Sequence, residues 1–243
     1  QRLMLKIHQV AAFSDNYIWV ISDGSSAWVV DPGDAIPVIE FLNESILKLE
    51  GILLTHWHGD HQGGVEELCD HFRNLQIIGS RKALKGPSRP VSENDLVHVL
   101  GATFTVLEVP GHTLDHVAFI STSELFETPV AFTGDTMFAA GCGRLFEGTA
   151  DDMFHSLNKI NKLPETTLVY CAHEYTLANL EYAVHAEPKN LDTWDRLNEV
   201  VAMRRQGIST IPTTLGLERL TNPFLRAPNS AVLGQRRSEK DNF

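Results

Sequence analysis

The sequence T-H-W-H-G-D-H at residues 55–61 places three histidines and one aspartate within six positions, directly after an apolar run. At the His and Asp frequencies of this chain, an HxHxDH match is expected about 0.001 times by chance. His56 and His58 alternate in an extended segment and therefore point the same way, whereas Asp60 and His61 can turn toward a neighbouring point. Nitrogen and oxygen donors at this spacing indicate ligands for two adjacent metal cations, against the alternative of an exposed His-rich loop.

Three further candidate ligands each follow a predicted strand. The sequence reads G-H-T around His112, G-D-T around Asp135 and A-H-E around His173. Loops at strand ends are where a sheet presents a site, so we expect these side chains to complete a metal centre. Three protein ligands per metal, with one aspartate shared, leave room for a water, which is typical of a catalytic centre. The seven candidate ligands are His56, His58, Asp60, His61, His112, Asp135 and His173.

Strand and helix periodicities alternate over the first 173 residues and become helical beyond Glu174. This order predicts a mixed α/β domain with a helical extension. The predicted strands are 4–9, 17–22, 26–30, 51–55, 75–79, 96–100, 103–108, 116–121, 129–135 and 166–173. The predicted helices are 34–49, 63–72, a helix marked by Met153, Leu157 and Ile160, 176–186 and 190–206, and the tail 207–243 is expected to be irregular.

Composition narrows the classes of function. With 20 Lys and Arg against 31 Asp and Glu, the net charge of −11 offers no general field for nucleic acid or an anionic membrane. The sequence holds no apolar run of the roughly 18 residues that a membrane helix needs. Its three widely separated cysteines favour neither a disulfide framework nor a Cys-based zinc ribbon. We therefore expect a cytoplasmic protein without nucleic-acid or membrane partners.

Seven short motifs follow one another in a recognisable order: THWHGDH, GHT, TGD, GCGRLFEGTADDM, CAHEYT, NPFLR and RSEKD. Together they resemble the metallo-β-lactamase superfamily and, within it, the glyoxalase II family, over almost the whole chain. The resemblance implies an α/β fold, namely an αββα metallo-β-lactamase sandwich with a C-terminal helical extension. It places the catalytic domain at 1–174 and a helical, substrate-binding domain at 175–243.

The resemblance also implies a role for each candidate residue. The first metal would bind His56, His58 and His112, the second Asp60, His61 and His173, and Asp135 would bridge them. Asp60 and Asp135 would act in catalysis by anchoring and orienting the attacking water. The implied contacts with the substrate are Arg144, Phe146, Tyr175, Arg237 and Lys240. Two positions depart from the family pattern, because Phe146 stands where Tyr is often found and Asp115 where Gly is usual.

The activity implied by the resemblance is hydrolysis of a glutathione thioester. The expected substrate is an S-2-hydroxyacylglutathione such as S-D-lactoylglutathione, and the products are glutathione and D-lactate, as in methylglyoxal detoxification. The expected cofactors are two divalent metal ions, with zinc first and iron or manganese as alternatives, because His/Asp ligand sets accept all three. An iron-dependent persulfide dioxygenase on the same fold is the main alternative; a metallo-nuclease and a catalytically inactive binding protein are weaker ones.

Overall fold

The computed structural model describes residues 3–83 and 88–243. The strands are β1 (Lys6–Ala12), β2 (Asn16–Ser22), β3 (Ser26–Val30), β4 (Lys48–Leu54), β5 (Gln76–Gly79), β6 (Arg89–Pro90), β7 (Leu96–Val99), β8 (Ala102–Glu108), β9 (Val117–Ser121), β10 (Val130–Gly134), β11 (Met137–Phe138), β12 (Gly141–Cys142), β13 (Leu168–Cys171) and β14 (Thr213–Thr214). The helices are α1 (Ala35–Ser45), α2 (Gly59–Gln62), α3 (Val65–His71), α4 (Ala150–Asn161), α5 (Thr176–Ala186), α6 (Leu191–Arg205), α7 (Leu215–Thr221) and α8 (Ser230–Asp241), with a 3₁₀ turn at Arg81–Ala83.

Two compact units make up the described chain. Unit 1 consists of the described part of 1–108 together with 115–134, and unit 2 consists of 109–114 together with 135–243. This division by contacts differs from the domain boundary at 174/175 given above, which stays a prediction.

Unit 1 contains a six-stranded sheet with the order β1-β2-β3-β4-β5-β6. The first three strands pair antiparallel, whereas β3 to β6 pair in parallel. Parallel pairing of β3 and β4 requires a crossover, which α1 provides. That helix begins after Asp34, whose side chain accepts a hydrogen bond from the Ile36 amide. The core of this part of unit 1 includes Ile18, Val29, Leu42, Ile52 and Leu54.

The remaining strands of unit 1 form an antiparallel set in the order β10-β9-β8-β7. Every residue of β9 and β10 is buried, which fits their continuous apolar sequences. In β8, buried and half-buried residues alternate along most of the strand, as expected when one face of a strand is covered. Strand β10 ends at Gly134, one residue before the candidate ligand Asp135.

Unit 2 contains α4 to α8 and two short strand pairs. Thr149 and Asp152 form a reciprocal capping box at the start of α4. Strands β11 and β12 form a tight hairpin, and β13 pairs antiparallel with β14. Ala140 of the hairpin turn shares an apolar cluster with Leu180 and Val200, so the hairpin packs against α5 and α6.

The predicted hairpin of 17–22 and 26–30 is confirmed by β2 and β3. The helix predicted at 34–49 is shorter, because Ile46 adopts a left-handed backbone conformation with φ of 54° and β4 begins two residues later. The prediction of an irregular tail at 207–243 is wrong. Helices α7 and α8 occupy much of it.

The structure also shows the state of the three cysteines and the character of the helices. Cys69, Cys142 and Cys171 are all free thiols. Within residues 3–83 and 88–243, no helix combines the length and the apolar character that crossing a membrane requires.

The start of α8 gives a stability prediction. The Asn229 side chain accepts a hydrogen bond from the Val232 amide at 2.9 Å, which is the geometry of a helix N-cap. We expect Asn229→Ala to lower the free energy of unfolding by about 1 kcal/mol, measured by urea denaturation. Asn229→Asp, which keeps the acceptor oxygen, should remain close to the wild type. An unchanged free energy of unfolding in Asn229→Ala would contradict the N-cap assigned to Asn229.

Candidate metal centre

The candidate ligands in unit 1 are His56, His58, Asp60 and His61, and they follow β4 at the edge where the parallel strands end. Strands β3 and β4 are paired up to Val30 and Leu53, so Asp31 and Thr55 leave the sheet close together. The chain then turns through the short helix α2. Gly33 permits this turn, because a Cβ at that position would collide with the carbonyl oxygen of Asp60.

The buried carboxylate of Asp31 organises the unit 1 ligands. Its Oδ1 accepts from the Thr55 amide at 2.8 Å, and its Oδ2 accepts from the Thr55 hydroxyl at 2.6 Å. The same Oδ2 is 2.9 Å from His61 Nδ1. His56 Nδ1 is 2.9 Å from the Thr55 hydroxyl oxygen. One carboxylate therefore fixes two candidate ligands, one directly and one through a threonine.

These contacts determine which ring nitrogen carries the proton. The single proton of the Thr55 hydroxyl is donated to Asp31, so the hydroxyl accepts from His56 Nδ1. A carboxylate likewise accepts from His61 Nδ1. The Nε2 atom of each neutral ring is then a lone-pair donor, which is the form that binds a metal.

Other neighbours complete the surroundings of the unit 1 ligands. The His56 ring lies near the His58 ring, with centroids 4.9 Å apart, and stacks on His116 at 4.5 Å. Asn16 Nδ2 donates to Asp60 Oδ2 at 3.0 Å and so holds that carboxylate in place. His116 is fully buried in this stack.

The candidate ligands in unit 2 are His112, Asp135 and His173, and the aspartate lies between the two histidines. Asp135 Oδ2 is 3.4 Å from His112 Nε2, and Asp135 Oδ1 is 3.4 Å from His173 Nε2. His112 Nδ1 donates to the carbonyl oxygen of Arg144 at 2.9 Å, which leaves its Nε2 as the lone-pair donor. The carboxylate thus presents a different oxygen to each histidine, which is the arrangement that a bridging ligand requires.

The donor chemistry and spacing of both sets fit divalent metal ions. Two ligand atoms that each lie about 2.1 Å from a tetrahedral metal are about 3.4 Å apart. The two pairs in unit 2 match this value, and His61 Nε2 lies 3.2 Å from Asp60 Oδ2 in unit 1. All the donors are imidazole nitrogens or carboxylate oxygens, which suit zinc, iron and manganese alike.

Unit 2 also contains the residues expected to contact substrate. The Tyr175 ring stacks on the His173 ring at 4.6 Å with an interplanar angle of 2°, and the Phe146 ring meets the His112 ring edge-on at 5.2 Å. Phe146 is 64% exposed, so its ring is not part of the core. One aromatic ring therefore lies beside each of the two candidate ligand histidines of unit 2. Contact of these rings with a substrate stays a prediction.

A cluster of basic side chains surrounds Asp241. Arg237 is buried and contacts Asp241 Oδ1 through Nε at 3.0 Å and Nη2 at 2.9 Å, while Arg144 Nε lies 3.8 Å from the same oxygen. Burial, followed by the charges of Arg237 and Arg144, lowers the pKa of Lys240 below its usual value of 10.5. Arg237 and Arg144 therefore share the Asp241 carboxylate, and Lys240 lies within the fields of these two cations and of the carboxylates of Asp241 and Glu181.

Sequence reasoning missed the residues that hold the ligands. The local sequence assigns no role to Asp31 or to Asn16. The position of Asp31 in the sequence is nevertheless informative. It directly follows the buried strand β3, and polar residues at the ends of neighbouring parallel strands lie at the same edge of a sheet, here the edge at which the candidate ligands follow β4. Asn16 is 44 residues from Asp60, and no local pattern connects them.

Comparison with known families defines the class of this protein. Residues 12–173 match the model of the metallo-beta-lactamase superfamily, and residues 174–243 match the model described as hydroxyacylglutathione hydrolase C-terminus. The fold agrees: the crystal structure of ETHE1 from Myxococcus xanthus superposes with a TM-score of 0.72 at 23% identity, covering 96% of this chain and 90% of that chain. The protein has the metallo-β-lactamase fold with C-terminal helices, as predicted.

Relatives narrow the class to one family. A hydroxyacylglutathione hydrolase of Photobacterium profundum is 48% identical over 94% of this chain and 89% of its own length. One of Pseudomonas savastanoi pv. phaseolicola is 50% identical over the same shares of the two chains. The chain belongs to the hydroxyacylglutathione hydrolase family, also called glyoxalase II. The persulfide dioxygenase alternative has less support.

The position of Asp31 gives a prediction about metal retention. In Asp31→Asn an amide NH₂ replaces one carboxylate oxygen, so it competes with the proton on His61 Nδ1 or with the Thr55 amide. We expect the affinity for Zn²⁺ to fall about 10–100-fold, measured by competition with a chelator. Asp34→Asn is the matched control, because asparagine caps a helix as well as aspartate does. Equal Zn²⁺ affinity in both variants would contradict the assigned role.

Proposed function

We propose that this chain hydrolyses the thioester bond of S-2-hydroxyacylglutathiones, S-D-lactoylglutathione first among them, at a centre of two divalent metal ions. In this proposal His56, His58 and His112 hold one ion, Asp60, His61 and His173 hold the other, and Asp135 bridges them. Zinc is the expected metal, with iron and manganese as alternatives. The observation that carries the proposal is the Asp135 carboxylate, whose two oxygens face two different histidines.

The metal ligands are held so that their donor atoms need little reorganisation. His56, His61 and His112 each use Nδ1 for a hydrogen bond within the protein, which keeps Nε2 available. Asn16 orients Asp60 through its Oδ2. Bound divalent cations supply Lewis acidity, which lowers the pKa of the attacking water and stabilises charge on the carbonyl oxygen.

The remaining chemistry needs few protein groups. Water adds to the thioester carbonyl carbon, the C–S bond breaks, and the glutathione thiolate leaves. An ordinary cysteine-type thiol has a pKa of about 8.5, so the thiolate leaves without a dedicated general acid. We assign Asp60 and Asp135 the task of anchoring and orienting the attacking water, whose proton ends on the glutathione thiol. The products are the 2-hydroxy acid and glutathione, as in the removal of methylglyoxal.

The basic cluster around Asp241 suits the carboxylates of glutathione. Arg144 is 60% exposed, so its guanidinium is accessible to a ligand. Arg237 is buried and contributes positive charge to the cluster without being exposed itself. Burial lowers the pKa of Lys240 first, and the nearby charges of Arg237 and Arg144 lower it further. In a chain of net charge −11, such a local excess of cations favours binding of an anionic substrate.

The assay that tests this function follows hydrolysis of S-D-lactoylglutathione before and after chelation. We expect about two metal ions per chain by elemental analysis and loss of turnover when they are removed. Asp135→Ala should lose both metal occupancy and turnover, because one carboxylate serves both ions. Asp151→Ala, at the exposed start of α4, is the control and should keep both. A single tightly bound ion in fully active protein would contradict the binuclear centre.

The lowered pKa of Lys240 makes substrate binding sensitive to alkaline pH. Lys240 is charged below its folded-state pKa and loses its proton as the pH rises through that value, which lies under 10.5. We expect KM to rise at alkaline pH in the wild type but much less in Lys240→Arg, since the guanidinium stays protonated. kcat should change little, because a carboxylate contact remote from the carbonyl is uniform binding. The same rise in KM in Lys240→Arg would exclude Lys240 as its cause.

A further inference from the structure

The β11–β12 hairpin connects two parts of the unit 2 site. Asp135 lies two positions before it, and Arg144, whose carbonyl oxygen accepts from His112, lies two positions after it. Gly143 lies so close to these groups that a Cβ there would collide with the Asp135 carbonyl and lie 3.0 Å from His112 Nδ1. Any shift of the hairpin would therefore move the backbone that positions His112.

The hairpin turn is strained and buried. Ala140 has φ of 58°, in the left-handed region that alanine seldom adopts. The turn therefore needs contacts that hold it, and its amide donates to Glu218 Oε1 at 2.6 Å. Glu218, in α7, is fully buried. A buried carboxylate here is costly unless all its lone pairs are used.

Glu218 has a donor for each side of its carboxylate. Besides the Ala140 amide, Oε1 accepts from Asn222 Nδ2 at 3.1 Å. Oε2 accepts from Arg196 Nη1 at 2.7 Å and from the Thr213 hydroxyl at 2.7 Å. Arg196 itself is only 6% exposed. The Arg196 cation thus compensates the buried charge, while the other oxygen is left to hold the turn.

We propose that Glu218 is a positioning residue of the metal centre, which acts by accepting the Ala140 amide and so fixing the hairpin between Asp135 and Arg144. Arg196 makes the carboxylate tolerable in the interior. The same hairpin carries Phe138, whose ring meets His173 and Tyr175 edge-on at 5.9 and 5.0 Å. The effect of Glu218 on catalysis rests on the proposed function. The effect of Glu218 on the position of the hairpin does not depend on that function.

The test compares two double variants that both lack the ion pair. In Arg196→Met with Glu218→Gln, the glutamine oxygen still accepts the Ala140 amide and its NH₂ faces the Thr213 hydroxyl, which can accept. In Arg196→Met with Glu218→Met, that acceptor is gone. Replacing a buried ion pair by residues of similar volume is commonly tolerated, so both proteins should fold.

We expect the Glu218→Gln double variant to retain Zn²⁺ like the wild type, and the Glu218→Met double variant to lose Zn²⁺ affinity about 10–100-fold in chelator competition. In the metal-free proteins, hydrogen exchange followed by NMR should show the Ala140 amide protected in the first and exposed in the second. Equal Zn²⁺ affinity and equal exchange in the two would overturn the proposal and leave Arg196–Glu218 as a helix-packing pair.

Hydrogen exchange of the wild-type protein tests the proposal even if one of the variants does not fold. The Ala140 amide of the metal-free wild type should exchange together with the amides of α7, because Glu218 joins them. Exchange at the rate of an exposed turn would overturn the proposal. Absence of thioester hydrolysis in the wild type would instead remove the proposed function, while both exchange and Zn²⁺ competition would still report on the hairpin.

Discussion

The hydrogen bond that a candidate ligand histidine makes through Nδ1 is the constraint on which the rest of the candidate site depends. A neutral imidazole has one proton, so a fixed acceptor at Nδ1 both orients the ring and leaves Nε2 as the donor to a metal. In unit 1 the acceptors are Asp31, for His61, and Thr55, for His56. The parallel pairing of β3 with β4 brings both acceptors to one edge of the sheet.

The two units meet this constraint in different ways. Unit 1 uses side chains at the ends of parallel strands, so the sheet itself supplies the order. Unit 2 uses a backbone acceptor, the Arg144 carbonyl, whose position depends on the conformation of an irregular loop. The position of such a loop depends on the contacts that its backbone makes with the rest of the protein. The strained turn at Ala140 accordingly donates a hydrogen bond to the buried carboxylate of Glu218.

This difference also explains what the sequence reveals. The seven candidate ligands and the β2–β3 hairpin follow from local patterns, because residue type and spacing within a few positions carry them. Asp31 and Glu218 act on residues 24 to 78 positions away, and a single sequence holds no record of such contacts. Helix α8 was missed for another reason: only Leu233 and Arg237 are buried along its length, so its apolar periodicity is weak, although Asn229 marks its start.

The hairpin is the place where the C-terminal, family-specific segment contacts the backbone next to the candidate metal ligand Asp135. Its own residues, 137–142, lie in the segment that matches the superfamily model, but the side chains that bond its backbone come from the segment that matches the hydroxyacylglutathione hydrolase C-terminus. Those side chains are Asn179, Glu218, Asn222 and Arg237, which contact the backbone of 138–142. The C-terminal helices therefore supply Arg237 and Lys240 of the basic cluster around Asp241 as well as the contacts that hold the hairpin. Because these contacts hold the loop between Asp135 and Arg144, we expect a change in these helices to alter the placement of His112 and Asp135 as well as the basic cluster, so that the two properties are constrained together.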